Sequence, residues 1–322
     1  MTNVPHKIAT ALLELVATHN PIVIFHHINP DGDCLGSQFG LKLWLQQQFP
    51  GKQIYTPGDH EGLFDFMTWE FDAPELSDWN SALAIVVDAN YSNRINNAEL
   101  LMQIPTRVRI DHHPESDDVN YQLRWVDPSY CASAEQVSDL IYQYQPASLT
   151  PAVAAYLYLG IYTDSGRFFY DKTSSRTHQL VAWLLATGLD IQPMHQALAQ
   201  RSLRELALCQ EVYSHYRTYQ NVIYYVMSQA KMQELGLAPI EANRVDLLAN
   251  IAGFSIWIFF IENPDGTIRV RLRSNAKNVN QLAKAYGGGG HLRASGAIIN
   301  NPDLILEIVH HAASLNNNED IQ

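Results

Sequence analysis

Apolar and polar positions fall into two different regimes along this chain. In the first, short apolar runs alternate with helix-spaced segments. PIVIFHH (21–27) is apolar and bounded by Pro21, so it reads as a buried strand. GSQFGLKLWLQQQF (36–49) reads as the helix that follows it. KQIYTP (52–57), ALAIVVDA (82–89) and TRVRIDHH (106–113) read as further strands. ASAEQVSDLIYQY (132–144), PAVAAYLYLGIYTDSG (151–166) and the stretch after SSRTHQ, closing at Gly188, carry helical spacing. Strands alternating with helices predict an α/β domain with a largely parallel sheet covered on both faces. An amphipathic helix is expected before it, near the N-terminus.

Beyond about residue 190 the pattern changes. Helical segments around 192–217 lead to NVIYYVMS (221–228), SIWIFFIEN (255–263) and TIRVRLRSN (267–275). PDG between the last two is a hairpin turn signal. NVNQLAKAYG (278–287) reads as a helix stopped by glycine, and a final helix is expected over about 303–315, before a frayed NNNEDIQ tail. This predicts a smaller α+β domain with a mixed sheet. The expected division is a first domain at 1–190, a linker at 191–205 and a second domain at 206–322. SIWIFFIEN stays open as a core strand or as the edge of a homodimer.

Composition narrows the function classes. The 322 residues are 47% apolar, enough for two ordinary cores. No apolar run reaches the roughly 18 residues of a membrane helix. The first twenty residues lack a cleavage site, so no signal peptide is read. Three scattered cysteines suggest neither a disulfide framework nor a cysteine zinc site, and a reducing cytoplasm fits them. A net charge of −12 argues against coating long nucleic acid, which needs a basic surface. It leaves room for a small phosphorylated substrate.

Chemistry collects at four places. HHINPDGD brings His26, His27, Asp31 and Asp33 together after the first strand; Asp88 ends IVVDAN; Asp111, His112 and His113 end VRIDHH; Asp164 ends a helix in GIYTDSG. One acidic strand end is ordinarily a helix cap or a turn residue. Several at once are another matter, because the carboxyl ends of parallel strands share one edge, where ligands bind. Carboxylates and imidazoles crowded there need cations. Such donors suit manganese, and also zinc or iron. Six of them, one carboxylate bridging, match a pair of ions roughly 3.5–4 Å apart that activates a water and clamps a phosphoryl oxygen. In the second domain, Tyr286 is followed by Gly287 to Gly290, His291 and then Ala294-Ser295-Gly296. Consecutive glycines let backbone amides approach an anion, although a flexible loop has the same composition. Arg269, Arg271 and Arg273 share one strand face just upstream, either as a solvated stripe or as a phosphate clamp.

HxxPDGDxxGS, the VVDAN aspartate, DHHPE and TDSGRF, in this order, resemble the DHH phosphoesterase superfamily. GGGGHxxASG resembles the glycine motif of its DHH-associated C-terminal domain of the first type. The motifs run from residue 27 to 296. In size and layout the chain looks like the bacterial nanoRNase and pAp phosphatase group, which degrades very short oligonucleotides and dephosphorylates 3′-phosphoadenosine 5′-phosphate. The resemblance implies a five-stranded-type parallel sheet flanked by helices. It implies two manganese ions, the first on His27 and Asp31, the second on Asp33, His112 and Asp164, with Asp88 bridging. His113 would face the scissile phosphate and Asp111 would orient the histidine pair. The linker would let the domains close on short RNA, DNA or a small nucleotide. Gly288, Gly289, Gly290 and His291, with Arg273, Ser274 and Asn275, would hold its far phosphate or terminal nucleotide. Arg94 would reach a neighbouring phosphate or lie on a helix surface. His26 is read as a satisfied strand-end residue outside the site, and Cys34 as a variable position.

Related classes fit less well. Inorganic pyrophosphatases of the superfamily carry a basic signature that is missing here, its single-strand exonucleases are longer, and its membrane-bound cyclic-dinucleotide phosphodiesterases have spanning segments. Soluble cyclic-dinucleotide or pApA hydrolases share this layout and remain the alternative. A catalytically silent nucleotide-binding protein would need a lost ligand, and none is lost.

Overall fold

Two runs of strand-forming sequence build two separate sheets. The computed structural model describes residues 6–72, 74–75, 78–113 and 117–315, apart from the side chains of His6 and His291. Pro114 and Glu115 of the DHHPE motif and the 316–322 tail lie outside the described residues. The chain divides into two compact units between Ala199 and Gln200.

In the first unit the elements are α1 His6–Thr18, β1 Ile22–Phe25, α2 Gly32–Gln48, β2 Ile54–Tyr55, β3 Leu83–Val87, α3 Ala98–Gln103, β4 Thr106–Asp111, β5 Leu123–Val126, α4 Ser133–Tyr144, α5 Pro151–Asp164, α6 Ser175–Leu185 and α7 Gln192–Ala199. Every strand pairing is parallel, in the order β2-β1-β3-β4-β5. The expected α/β sheet is present, with β5 as a strand the apolar pattern did not reveal. Both faces are covered, which is why β1 and β3 read as unbroken apolar runs. Ile22, Ile24, Ile85 and Val87 enter one core, with Leu41, Trp44 and Leu157. Val23, Phe25, Ala84 and Val86 enter the other, with Leu101 and Ile104. Each such fully buried side chain contributes about 1.5–3 kcal/mol relative to exposure.

Strand order reverses at β1 and β3, the usual place for a ligand crevice. α2 starts at that crevice and α5 ends there. The two helices touch along a glycine seam. A Cβ on Gly36 would sit 2.4 Å from the Tyr156 carbonyl oxygen, and one on Gly40 would sit 2.6 Å from Leu157 Cδ2. Gly32 meets Thr163 in the same way, and Gly160 meets Asp33 of α2 and Ala134 of α4. The seam sets how near the last residue of α5, Asp164, comes to the start of α2. α2 begins four residues before the expected position because Asp31 caps it: its Oδ1 accepts from the amides of Asp33 and Cys34, both at 3.0 Å.

The second unit contains α8 Leu203–His215, β6 Arg217–Tyr219, β7 Val222–Met227, α9 Gln229–Leu235, β8 Ile256–Glu262, β9 Ile268–Ser274, α10 Val279–Ala285, β10 Gly289–His291, β11 Ala294–Ile299 and α11 Leu304–Ser314. Its mixed sheet runs β10-β11-β9-β8-β7-β6, with only β7 and β8 parallel. SIWIFFIEN is interior strand β8, buried on both faces, so it is core. The glycine run is not a free loop. Gly289 to His291 form edge strand β10, paired to β11, and a Cβ on Gly288 would lie 2.1 Å from the Gly296 carbonyl oxygen.

The seam makes a prediction. Gly36→Ala forces α2 and α5 apart and destabilises the protein by about 1–3 kcal/mol in urea unfolding, while weakening metal retention. Unchanged stability would show that the seam can relax.

Candidate metal centre

Five element ends bring seven side chains to the switch point. β1 delivers His27, whose backbone pairs with Ile95 across the crevice. The cap of α2 supplies Asp31 and its first turn supplies Asp33. Asp88 follows β3 with φ +57, a left-handed conformation that Asp tolerates better than most residues. His112 and His113 follow β4, and Asp164 ends α5. Asp33, Asp88 and His112 are buried, whereas the Asp31 side chain is about half exposed.

Asp88 lies between two groups of imidazoles. Its Oδ2 is 3.4 Å from His27 Nε2, which is 3.5 Å from Asp31 Oδ2. Its Oδ1 is 3.4 Å from both His112 Nε2 and His113 Nδ1. His112 Nε2 also faces Asp33 Oδ2 at 3.7 Å and Asp164 Oδ2 at 3.4 Å. These separations are long for hydrogen bonds, which run to about 3.2 Å. They fit donors that share a cation, since two ligands each about 2.1 Å from one ion stand about 3.0–3.5 Å apart. The donor set therefore fits divalent metal ions.

The charges tell the same story. Burial pushes the Asp33 carboxyl well above the usual range, and Asp88, Asp164 and Asp31 push it further. Asp164 rises to about 6, again through burial and despite His112. Burial opposes charge on Asp88 as well, but the facing imidazoles of His112, His113 and His27 hold it well below the ordinary value. Burial would neutralise the imidazoles too. For His112 this is outweighed by Asp88, and for His113 by Asp111 and Asp88, which raise it to about 10. His27 is likewise raised, against burial, through its contacts with Cys34, Asp31 and Asp88. The cluster holds protons where it lacks cations, and a metal would displace them.

Sequence reasoning missed the support around these groups. Asp33 accepts from the amides of Ser133 at 2.6 Å and Ala134 at 2.8 Å, the first residues of α4. Ser133 Oγ donates to Asp88 Oδ1 at 3.3 Å. Arg109, fully buried on β4, binds Asp111 Oδ2 through Nε and Nη2 and Asp117 through Nη1. Asp111 Oδ1 in turn lies 2.8 Å from His113 Nδ1. Arg109 and Asp111 are two apart on one strand, so the period-two rule could have paired them. His26 is buried, but it is not satisfied as expected: its Nε2 has no hydrogen-bond partner among the described residues.

In the second unit, Arg269 and Arg271 line a groove of about 440 Å³ with Gly287, Gly288, Gly289 and Gly296. Arg273 turns Nη1 to the Leu272 carbonyl. Ser274 is buried, and its hydroxyl donates to the Ser255 carbonyl and accepts from the amides of Ala276 and Lys277. It shapes the turn that carries Asn275. Gly290 and His291 are in β10. Arg94 is exposed in a short 3-10 turn, and its carbonyl accepts from the Ile28 amide beside His27.

Known proteins show the same architecture. The pattern of the DHH family N-terminal domain matches residues 21–161, and that of the DHHA1 domain matches residues 220–318. The chain is 45% identical to the bifunctional oligoribonuclease and PAP phosphatase NrnA of Mycoplasma pneumoniae, across 91% of this chain and 92% of that one. It is 31% identical to the protein of the same name from Bacillus subtilis, across 90% and 93%. The fold matches an exopolyphosphatase-related protein from Bacteroides fragilis with a TM-score of 0.85 at 22% identity, covering 97% of both chains. With both domains matched in order and relatives this similar along nearly the full length, the chain belongs to the DHH family of phosphoesterases, hydrolases of phosphate esters.

Proposed function

We propose that the chain is a manganese-dependent phosphoesterase that hydrolyses short oligonucleotides to mononucleotides and 3′-phosphoadenosine 5′-phosphate to AMP. The observation that carries this reading is Asp88, whose two oxygens face separate imidazole groups. His27 and Asp31 would hold a first ion, Asp33, His112 and Asp164 would hold a second, and Asp88 would serve both. Bound there, such ions would supply Lewis acidity to the phosphoryl oxygen and lower the pKa of an attacking water. The substrate class follows the activities named for the mycoplasmal and Bacillus relatives.

The chain's own groups do the rest. Arg109 fixes the Asp111 carboxylate, and Asp111 fixes His113 by holding its Nδ1. We assign His113 Nε2 to the leaving oxygen, which takes a proton from it as the P–O bond breaks. In the second unit, Gly288, Gly289, Gly290 and His291, with Arg273 and Asn275, meet the far end of the substrate, and Ser274 acts by holding its turn. Arg94, exposed beside His27, meets a neighbouring phosphate. The three cysteines are free, the net charge is −12, and among the described residues no helix is long and apolar enough to cross a membrane. We infer a cytoplasmic enzyme that takes short strands rather than long nucleic acid.

Purified protein with manganese should release mononucleotides from RNA two to five residues long. Asp88→Asn should remove this activity by about 10³-fold or more with the fold intact by circular dichroism. Full activity of Asp88→Asn at limiting manganese would remove the two-ion assignment. A panel of short RNA, short DNA, 3′-phosphoadenosine 5′-phosphate, pApA, cyclic di-AMP and pyrophosphate tests the substrate class, and hydrolysis of pyrophosphate alone would sink it.

A pH prediction follows from His113. Its folded-state proton persists to about 10 because Asp111 and Asp88 outweigh burial, whereas the unfolded ring releases it near about 6.5. The stabilisation is complete below the unfolded value and is lost as pH rises toward 10. Metal-free protein should therefore lose stability across that window, and His113→Asn should flatten the slope. An unchanged slope would show that other groups control it.

A further inference from the structure

The cluster contains one donor outside the phosphoesterase motif. Cys34 follows Asp33, and its Sγ belongs to a group with His27 and Asp31 whose donor atoms all lie within 4.8 Å of one another. The thiol is fully buried. The Asp31 amide donates to Sγ at 3.3 Å, and His26 Nδ1 stands 3.8 Å from it. His26 is itself fully buried, and its Nε2 has no hydrogen-bond partner among the described residues. That nitrogen faces Gly58, where a Cβ would lie 2.0 Å away. A neutral imidazole carries one ring proton, best placed on the nitrogen that has an acceptor. This puts the proton on Nδ1, directed at Sγ. Two N–H donors thus converge on one buried sulfur, on the same side of the site as the first ion's ligands. A thiol is a weak acceptor, and this environment suits a metal-bound sulfur better.

We propose that Cys34 is a sulfur ligand of the first ion, beside His27 and Asp31, with His26 as the positioning residue that orients the sulfur. On binding, a metal–sulfur bond replaces the S–H bond, the proton leaves to solvent and no electron is transferred. The two ion positions then differ in kind. Sulfur biases the first toward softer ions such as zinc, cobalt or ferrous iron, while the second, built from imidazole and carboxylate, stays suited to manganese. The inference rests on the two-ion reading of the site.

The test is a cobalt titration of the metal-stripped full chain, followed by absorption. Wild-type protein should show visible cobalt bands together with a near-ultraviolet sulfur-to-cobalt charge-transfer band. Cys34→Ser should lose the charge-transfer band and keep the visible bands, although Cys131 and Cys209 remain. His26→Asn should shift the band and weaken cobalt binding about tenfold. X-ray absorption of zinc-loaded wild-type protein should show a zinc–sulfur shell at about 2.3 Å, a readout that stands even if Cys34→Ser fails to fold. Visible bands without charge transfer, a charge-transfer band that survives Cys34→Ser, or zinc with only nitrogen and oxygen neighbours would overturn the assignment of Cys34. Failure to bind cobalt at all would instead sink the two-ion reading beneath it.

Discussion

Four carboxylates and three imidazoles share one partly buried edge of a parallel sheet, and the rest of the first unit serves that crowding. Asp33 and Asp88 are buried within reach of Asp164 and Asp31, so their charges are unfavourable without nearby positive charge. The protein supplies part of it. The N-terminus of α4 donates two amides to Asp33, and Arg109 neutralises Asp111 from beneath the strand. The three histidines that face the acids keep raised proton affinities. What remains is a demand for cations, at a site where the two oxygens of Asp88 face different imidazoles.

Backbone geometry brings these side chains together before any ion does. The parallel order sends β1, β3 and β4 to one edge. The glycine seam then solves a separate problem, since Asp164 belongs to a helix rather than a strand. With side chains at Gly36 and Gly160, α5 would stand farther from α2, and Asp164 farther from Asp33 and His112. The glycines of HHINPDGDCLGSQFG therefore act in packing as well as in turning the chain.

Much of this was legible in the sequence. Unbroken apolar runs ending in acids gave the parallel sheet and the edge where its chemistry lies, because burial on both faces leaves no alternation to confuse the pattern. The later division between core and arginine face in β9 followed from period two, and its burial alternates accordingly. What stayed hidden depends on contacts distant in sequence. The amides of Ser133 and Ala134 reach Asp33 across about a hundred residues, and no local pattern announces them. β5 is only four residues long, with an exposed arginine, so its apolar signal is thin. The glycine run looked like a loop because its composition is that of one; it pairs as β10 only because β11 is there to receive it. Cys34 looked incidental until burial placed it beside His27, and Arg271 was one of three arginines on a strand face until the fold placed it in a glycine-lined groove.

The central claim is that Asp88 joins two metal positions. The most direct measurement is anomalous diffraction from crystals grown with manganese. The account predicts two peaks roughly 3.5–4 Å apart, one meeting Asp88 Oδ2 beside His27 and the other meeting Asp88 Oδ1 beside His112. A single peak, or a pair that Asp88 does not touch, would contradict it.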